Sequence, residues 1–194
     1  YKQIKSSGQV YVMEPYVYQL KGKDIMMISI IAPIYDADGE FLGVAGCDVA
    51  LADMQTQQYA RIGYETIHMV ALSEDEMVLL DTSNASLVGK TAEEAGYGQI
   101  LEDVEKLDSM KEGPNVNSLS VMNSNTINYA TGKKGIAITV PMKLSSGNKW
   151  SLRVAINRQE FDKALLTDVA KLMFAVILFG IILLCIIYQI IKKH

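Results

Sequence analysis

Ser29-Ile30-Ile31-Ala32-Pro33-Ile34-Tyr35-Asp36-Ala37-Asp38-Gly39-Glu40-Phe41-Leu42-Gly43-Val44-Ala45-Gly46-Cys47-Asp48-Val49-Ala50-Leu51 is the stretch on which the fold turns. Two apolar runs flank Asp36-Ala37-Asp38-Gly39, a hairpin signal because glycine tolerates the positive φ that such turns need. From Phe41 to Leu51 every residue is apolar or glycine except Asp48. A carboxylate buried in such a strand would cost several kcal/mol unless a partner met it. Asp48 is therefore expected to be buried and to meet a cation, supplied either by the protein or by a ligand. Its alternatives are an N-cap role for a helix starting near Ala50 and a structural ion pair.

Working upstream, Ile25 to Ala32 reads as an apolar strand after a turn at Lys21-Gly22-Lys23-Asp24, and Gln9 to Tyr18 as a Val- and Tyr-rich strand broken at Pro15. Tyr1 to Ser7 reads as the last turns of a helix stopped by Gly8. An antiparallel sheet buried mainly on one face follows from these runs. Downstream, Leu51 to Ile62 lacks Gly and Pro and reads as a connecting helix. The pattern then restarts. His68 to Leu72 and Met77 to Leu80 are apolar strands around the acidic turn Ser73-Glu74-Asp75-Glu76, and Asp81 to Thr91 is loop-like. Tyr97 to Met110 places Ile100, Leu101, Val104, Leu107 and Met110 on one helical face with acids opposite. Gly113 to Asn128 reads as irregular. Ile136 to Met142 and Trp150 to Ile156 are strands joined by Leu144-Ser145-Ser146-Gly147-Asn148. Pro33 stands six residues before Gly39 and Pro141 six before Gly147, a weak internal repeat expected of two copies of one helix-plus-sheet unit, the first truncated at its start.

The last third of the chain changes its class. Leu172 to Tyr188 carries no charge and no strongly polar group, and Ile190 and Ile191 extend the run past Gln189. About 20 residues at 1.5 Å each cross a hydrocarbon core of roughly 30 Å, so a transmembrane helix over about 172–191 is expected. Lys192 and Lys193 fit a cytoplasmic end. Asn157-Arg158-Gln159-Glu160 matches a capping box. With no Pro between Arg158 and Lys193, one helix of about 36 residues, roughly 54 Å long, is expected from the second unit through the membrane.

Composition excludes several functions. All 22 acidic residues lie at or before Asp168, whereas Lys171, Lys192 and Lys193 follow it. The part ahead of the span is thus strongly acidic and unsuited to nucleic acid or anionic lipid. Cys185 sits inside the span and Cys47 inside a strand, so a disulfide scaffold and a zinc site of usual spacing are excluded. Cys47 reads as a small core residue. His68 and His194 lack an acid or nucleophile at useful spacing, and neither a phosphate loop nor a metal cluster is present. No catalytic residue, metal or cofactor is expected, and the chain is read as no enzyme, although an output domain beyond it could be one. Glu93-Glu94 and Glu102 to Glu105 read as a solvated helix face. The absence of an initiating Met leads to the expectation of a fragment.

The series Tyr11-Val12-Met13-Glu14-Pro15-Tyr16, then Ser29-x-x-Ala32-Pro33-Ile34-Tyr35-Asp36, then Gly39-x-Phe41-Leu42-Gly43-Val44-x-Gly46-x-Asp48-x-x-Leu51 resembles the double Cache ectodomains of bacterial transmembrane receptors. These occur most often in methyl-accepting chemotaxis receptors and also in histidine kinases and diguanylate cyclases. Ser86-Leu87-Val88-Gly89-Lys90 and Trp150-Ser151-Leu152-Arg153-Val154 are similar to the membrane-proximal half; the acidic turn at Ser73 to Glu76 departs from it in lacking a Gly. The resemblance implies an α+β fold of two PAS-like (Cache) units of antiparallel sheet with helices. Residues 1–62 would hold the rest of a truncated membrane-distal unit and the connecting helix, 63–157 the membrane-proximal unit, and 158–193 the juxtamembrane and transmembrane helix.

It further implies a small-molecule ligand, an amino acid or amine, in the distal unit. Asp48 is similar to the amine-binding Asp of that family, Tyr16 to its later Tyr, and Tyr1 to the final Tyr of an Arg-x-Trp-Tyr motif whose Arg and Trp would lie upstream. Tyr16 could equally be a half-buried strand aromatic, and Tyr1 a frayed terminus. The implied protein senses small molecules and signals across the bacterial inner membrane as a homodimer, with residues 1–171 extracytoplasmic and the C-terminus cytoplasmic. Alternatives are the sensor part of a histidine kinase or diguanylate cyclase, and a ligand-free membrane-anchored interaction domain.

Overall fold

At Asp36–Gly39 the chain reverses as the turn chemistry requires. Gly39 takes φ 87°, its N–H bonds the Asp36 carbonyl at 3.2 Å, and Asp36 Oδ1 accepts from the N–H groups of Asp38 and Glu40 at 3.0 and 2.8 Å. The computed structural model describes residues 1–55, 64–110, 119–144 and 146–193, with side chains up to residue 179. The turn joins β3 (Lys23–Tyr35) to β4 (Phe41–Ala50), antiparallel with Ser29 opposite Asp48. On the other side of β3 lie β1 (Tyr11–Val12) and β2 (Tyr16–Leu20), separated at Pro15. Pro15 cannot donate to the ladder, which accounts for the break. Helix α1 (Lys2–Ser7) buries Ile4 and ends at Gly8 in the left-handed conformation, φ 65°. Helix α2 (Leu51–Gln55) follows β4 directly; the remainder of the helix expected to Ile62 lies outside the described residues.

A second antiparallel sheet has the order β6-β5-β9-β8-β7. Its strands are β5 (His68–Leu72), β6 (Val78–Asp81), β7 (Val121–Asn128), β8 (Lys133–Lys143) and β9 (Lys149–Asn157). Helix α3 (Gly98–Ser109) lies across it. The architecture is α+β, with two antiparallel sheets and few helices. Strand β7 corrects the irregular reading of this stretch: Asn and Ser lower strand propensity, but pairing with β8 overrides it.

Two apolar clusters hold the molecule. One spans both sheets, joining Val12, Ile28 and Leu51 to Ala71, Leu79, Leu80 and Trp150. The other lies between α3 and the second sheet, with Val70, Leu72, Val78, Ala92, Tyr97 and Ile100.

Helix α4 (Arg158–Lys193) is continuous over 36 residues. Its expected capping box does not form. Asn157 remains in β9, where its N–H donates to Thr66 Oγ1 at 3.0 Å. The Glu160 carboxylate accepts from the N–H groups of Glu65 and Thr66, at 2.6 and 3.1 Å, and from the Thr66 hydroxyl. A tertiary partner has displaced the local one, and the helix base is tied to the segment leading into β5. Among the described residues no helix is long and apolar enough to cross a membrane. Much of the span expected over 172–191 falls beyond residue 179, outside the described side chains.

Candidate functional site

Strand alternation sorts the first sheet into two faces. Met26, Ile28, Val12 and Val49 point into the cluster shared with the second sheet. The opposite face carries Tyr11, Tyr16, Tyr18, Met27, Ser29 and Asp48, as the pairings Tyr11↔Ile31, Tyr16↔Met27, Tyr18↔Ile25 and Ser29↔Asp48 require. On it, the Ser29 hydroxyl donates to Asp48 Oδ1 at 2.5 Å. The Tyr16 hydroxyl lies 2.6 Å from Ser29 Oγ and 3.4 Å from the same Asp48 oxygen. Ser29 is buried, Tyr16 half-buried and Asp48 exposed.

Asp48 was expected to be buried, and it is not; nor is Cys47 a core residue, for it too is exposed. The reason is topological. In the second sheet β9 is paired on both sides, by β8 and β5, whereas among the described residues β4 is paired on one side only, by β3. An apolar run made largely of small residues reads like a buried strand even when it lies at a sheet edge. The carboxylate reaches across the sheet to Ser29 and Tyr16. Among the described residues no Lys, Arg or His forms an ion pair with Asp48. Exposed to solvent, the Asp48 carboxylate no longer requires the cation that burial would have demanded.

Tyr1 is not brought to this cluster. Its ring meets Phe41 edge-on, with centroids 5.5 Å apart, and Phe41 meets Tyr35 in the same way at 5.9 Å. Asp48 stands seven residues further along β4, roughly 20 Å away at about 3.3 Å per residue. Ser29 was missed by the sequence reading. Its signals were a lone hydroxyl in an apolar strand and its place at the head of the Ser29-x-x-Ala32-Pro33 series, and they acquire meaning once the register places it opposite Asp48.

A second polar cluster lies beneath α3, and this too was missed. His68 Nε2 lies 2.9 Å from Asp81 Oδ1, both side chains fully buried. Thirteen residues separate them, so the reading that His68 lacked an acid at useful spacing is corrected by the β5–β6 hairpin. Asp81 Oδ1 also accepts from Ser83 N, Ser83 Oγ and Asn84 N, and Asp81 Oδ2 from the Tyr97 hydroxyl. Burial opposes ionisation of Asp81, but the bonds from His68, Tyr97 and Ser83 outweigh it and hold the carboxyl well below the usual carboxylate range. Burial, then the bond to Asp81, pushes the Tyr97 phenol well above its ordinary value.

Arg153 of β9 is buried beside Asp103, with Nε 4.0 Å from Oδ2. Its Nη2 donates to Thr126 Oγ1 at 2.7 Å, and its guanidinium lies over the Tyr129 ring at 5.6 Å. Asp103 is fully buried, which corrects the solvated reading of Glu102 to Glu105 for this one residue. Arg153 and Asp103 offset one another's charge in a packed interior, while Arg153 Nε and Nη1 are buried without hydrogen-bond partners. A groove of about 1110 Å³ runs along α4, lined by Lys133, Lys163, Leu166 and Phe174 among others, and shares no residue with the Asp48 cluster.

With this geometry in view, likeness to known proteins is informative. Residues 1–56 match the family model of the methyl-accepting chemotaxis protein-like first PDC sensor domain. Over these residues the chain is similar to the PDC, or Cache, sensor domains of chemoreceptors. The methyl-accepting chemotaxis protein TlpQ of Pseudomonas aeruginosa is 32% identical over 104 residues, covering 50% of this chain and 14% of that protein. The periplasmic sensory domain of the Campylobacter jejuni chemoreceptor Tlp1 is similar in fold, with TM-score 0.55 and 20% identity over 82% of this chain and 54% of that one. The ligand-binding domain of the Pseudomonas fluorescens chemoreceptor CtaA, solved in complex with L-leucine, has TM-score 0.51 and 25% identity over 85% of this chain and 59% of that one. The chain thus spans about one seventh of the curated relative it matches and little more than half of these solved domains. All three are chemoreceptors or sensor domains of chemoreceptors.

Proposed function

We propose that this PDC sensor chain binds a small amino acid or amine outside the cytoplasm, on the face of the first sheet that carries Asp48. The observation that carries the reading is the Asp48 carboxylate, fixed by Ser29 and supported by Tyr16, with no protein cation paired to it among the described residues. An ammonium group would supply the missing charge and donate to the carboxylate, and charge-assisted bonds of this kind are roughly twice as strong as neutral ones. Tyr16 offers a phenol ring and hydroxyl beside that position. Tyr1, packed on Phe41 at the far end of β4, has no contact with this position. The CtaA complex supports an amino acid over other small molecules.

On this reading residues 1–62 belong to the distal unit and its connecting helix, 63–157 form the proximal unit, and 158–193 carry the signal. The membrane span lies over about 172–191, with residues 1–171 on the extracytoplasmic side, and two copies of the chain act together. Ligand can shift such a receptor only by binding one arrangement better than the other, so occupancy at Asp48 must bias the position of α4. The output is chemotactic. Calorimetric titration of the sensor region with the L-amino acids and primary amines tests the assignment, alongside Asp48→Ala. Binding that weakens at least tenfold in the variant supports it. No binding by any of them, or equal affinity in Asp48→Ala, overturns it.

A further inference from the structure

The short link between β1 and β2 is clipped to one residue of the candidate site at both ends. Met13 N–H donates to the Ser29 carbonyl at 2.9 Å, and the Tyr16 hydroxyl lies 2.6 Å from Ser29 Oγ, which itself bonds Asp48. Pro15 fixes its own φ and stiffens the link. Between these clips, Glu14 reaches the other sheet. Its Oε1 accepts from Trp150 Nε1 and from Asn148 Nδ2, each at 3.0 Å. Asn148 and Trp150 belong to the β8–β9 hairpin, and Trp150 is the second residue of β9. Strand β9 runs without interruption to Asn157, and α4 begins at the next residue.

We propose that the Glu14–Trp150 hydrogen bond is the joint through which the Asp48 site acts on β9 and α4. This rests on the reading of Asp48 as the sensing residue. Cohesion alone does not account for the bond, because Val12, Ile28, Leu51, Leu79 and Trp150 already hold the sheets together by apolar contact. Glu14 Oε2 is meanwhile buried without a partner, a destabilising feature that apolar packing would avoid. What the carboxylate adds is direction. Two N–H donors converge on one oxygen, so displacement of the Met13–Tyr16 link relative to Ser29 is passed to the start of β9 as a specific pull and not as a general repacking. Glu14 touches no ligand in this scheme and acts as a positioning residue.

Trp150 is the single tryptophan of the chain, so one indole N–H resonance reports the joint directly. The experiment uses ¹⁵N-labelled full chain in detergent micelles. Asp48→Asn is the perturbation, which requires no ligand and so separates failure of this proposal from failure of the ligand assignment. Asp48→Asn is expected to move the indole resonance and the amide resonances of Ser151 to Glu160. The same substitution in a Glu14→Ala background moves neither set, while a Glu14→Gln background, which keeps the accepting oxygen, restores both. Should Glu14→Ala not fold, Trp150→Phe retains a ring at the site and removes the donor, and loss of the β9 amide shifts is then the expected result. An unmoved indole resonance in Asp48→Asn overturns the proposal. So do β9 shifts of undiminished size in Glu14→Ala or, in its place, in Trp150→Phe.

Discussion

Replacing Tyr97 by Phe isolates a single hydroxyl in the interior of the second sheet. Tyr97 and Asp81 are both buried. Asp81 Oδ1 keeps its bonds from His68, Ser83 and Asn84 in the variant, but Tyr97 is the donor to Oδ2. The ring survives the substitution, and with it the edge-on contact with Tyr129 at 4.7 Å. The loss is thus one hydrogen bond to an ionised group, about 1.5–3 kcal/mol. For a chain of this length each kcal/mol lowers Tm by roughly 2–4 °C, so a fall of about 3–12 °C is expected.

The pH dependence has a definite sign. The native Asp81 carboxyl titrates below its unfolded value, so its stabilisation is complete above about pH 5 and lost as pH falls through the carboxylate range. Tyr97→Phe moves the native Asp81 back toward its ordinary value, and the gap between parent and variant narrows as pH falls. At the alkaline end, native Tyr97 titrates above its unfolded value, so its contribution holds below about pH 10 and fades above it. Thermal unfolding followed by emission from Trp150, the one tryptophan and a core residue, measures both effects. A variant within about 0.5 kcal/mol of the parent, a loss within the surface-substitution range, with a gap constant between pH 3 and pH 10, would refute the reasoning.

Ile100 is fully buried between α3 and the sheet, so Ile100→Ala should cost about 2–5 kcal/mol and lower the urea midpoint accordingly. Glu160→Gln should loosen the base of α4. Desolvation raises the Glu160 carboxyl, but the hydrogen bonds it accepts from Thr66 and Glu65 together outweigh this and hold it below its ordinary value. Its anchoring is therefore present above the unfolded carboxylate value and lost as pH falls through it. Protection of the Glu65 and Thr66 amides against hydrogen exchange, relative to their intrinsic rates, should fall in acid in the parent and show no such pH step in Glu160→Gln.

Local chemistry made much of this architecture readable. Gly8 ended a helix because a left-handed residue is needed there, Asp36 to Gly39 turned the chain, and the absence of Pro after Arg158 let α4 run unbroken. The second hairpin was equally plain, with β8 and β9 separated by Gly147. Each of these features depends on residues close in sequence, where φ, ψ and short-range hydrogen bonds decide the outcome. The pairing of His68 with Asp81 was not legible, since spacing alone gives no sign that a hairpin will fold one onto the other. The burial of Asp103 was hidden for a similar reason: its neighbours Glu102 and Glu105 mark a polar face, and only the approach of Arg153 and Asn123 from the sheet brings Asp103 its partners.

By itself, then, the sequence determined the turns and the apolar runs, together with a lone carboxylate at position 48. Tertiary structure decided what surrounds that carboxylate. Register set Ser29 opposite it and β2 brought Tyr16 alongside, while among the described residues β3 is the only strand paired with β4. The same holds at the foot of α4, where Thr66, far away in the chain, takes the Glu160 carboxylate that a local capping box would have used. A local pattern states which bonds a residue can make. Which of them it does make depends on the partners that folding brings within about 3 Å.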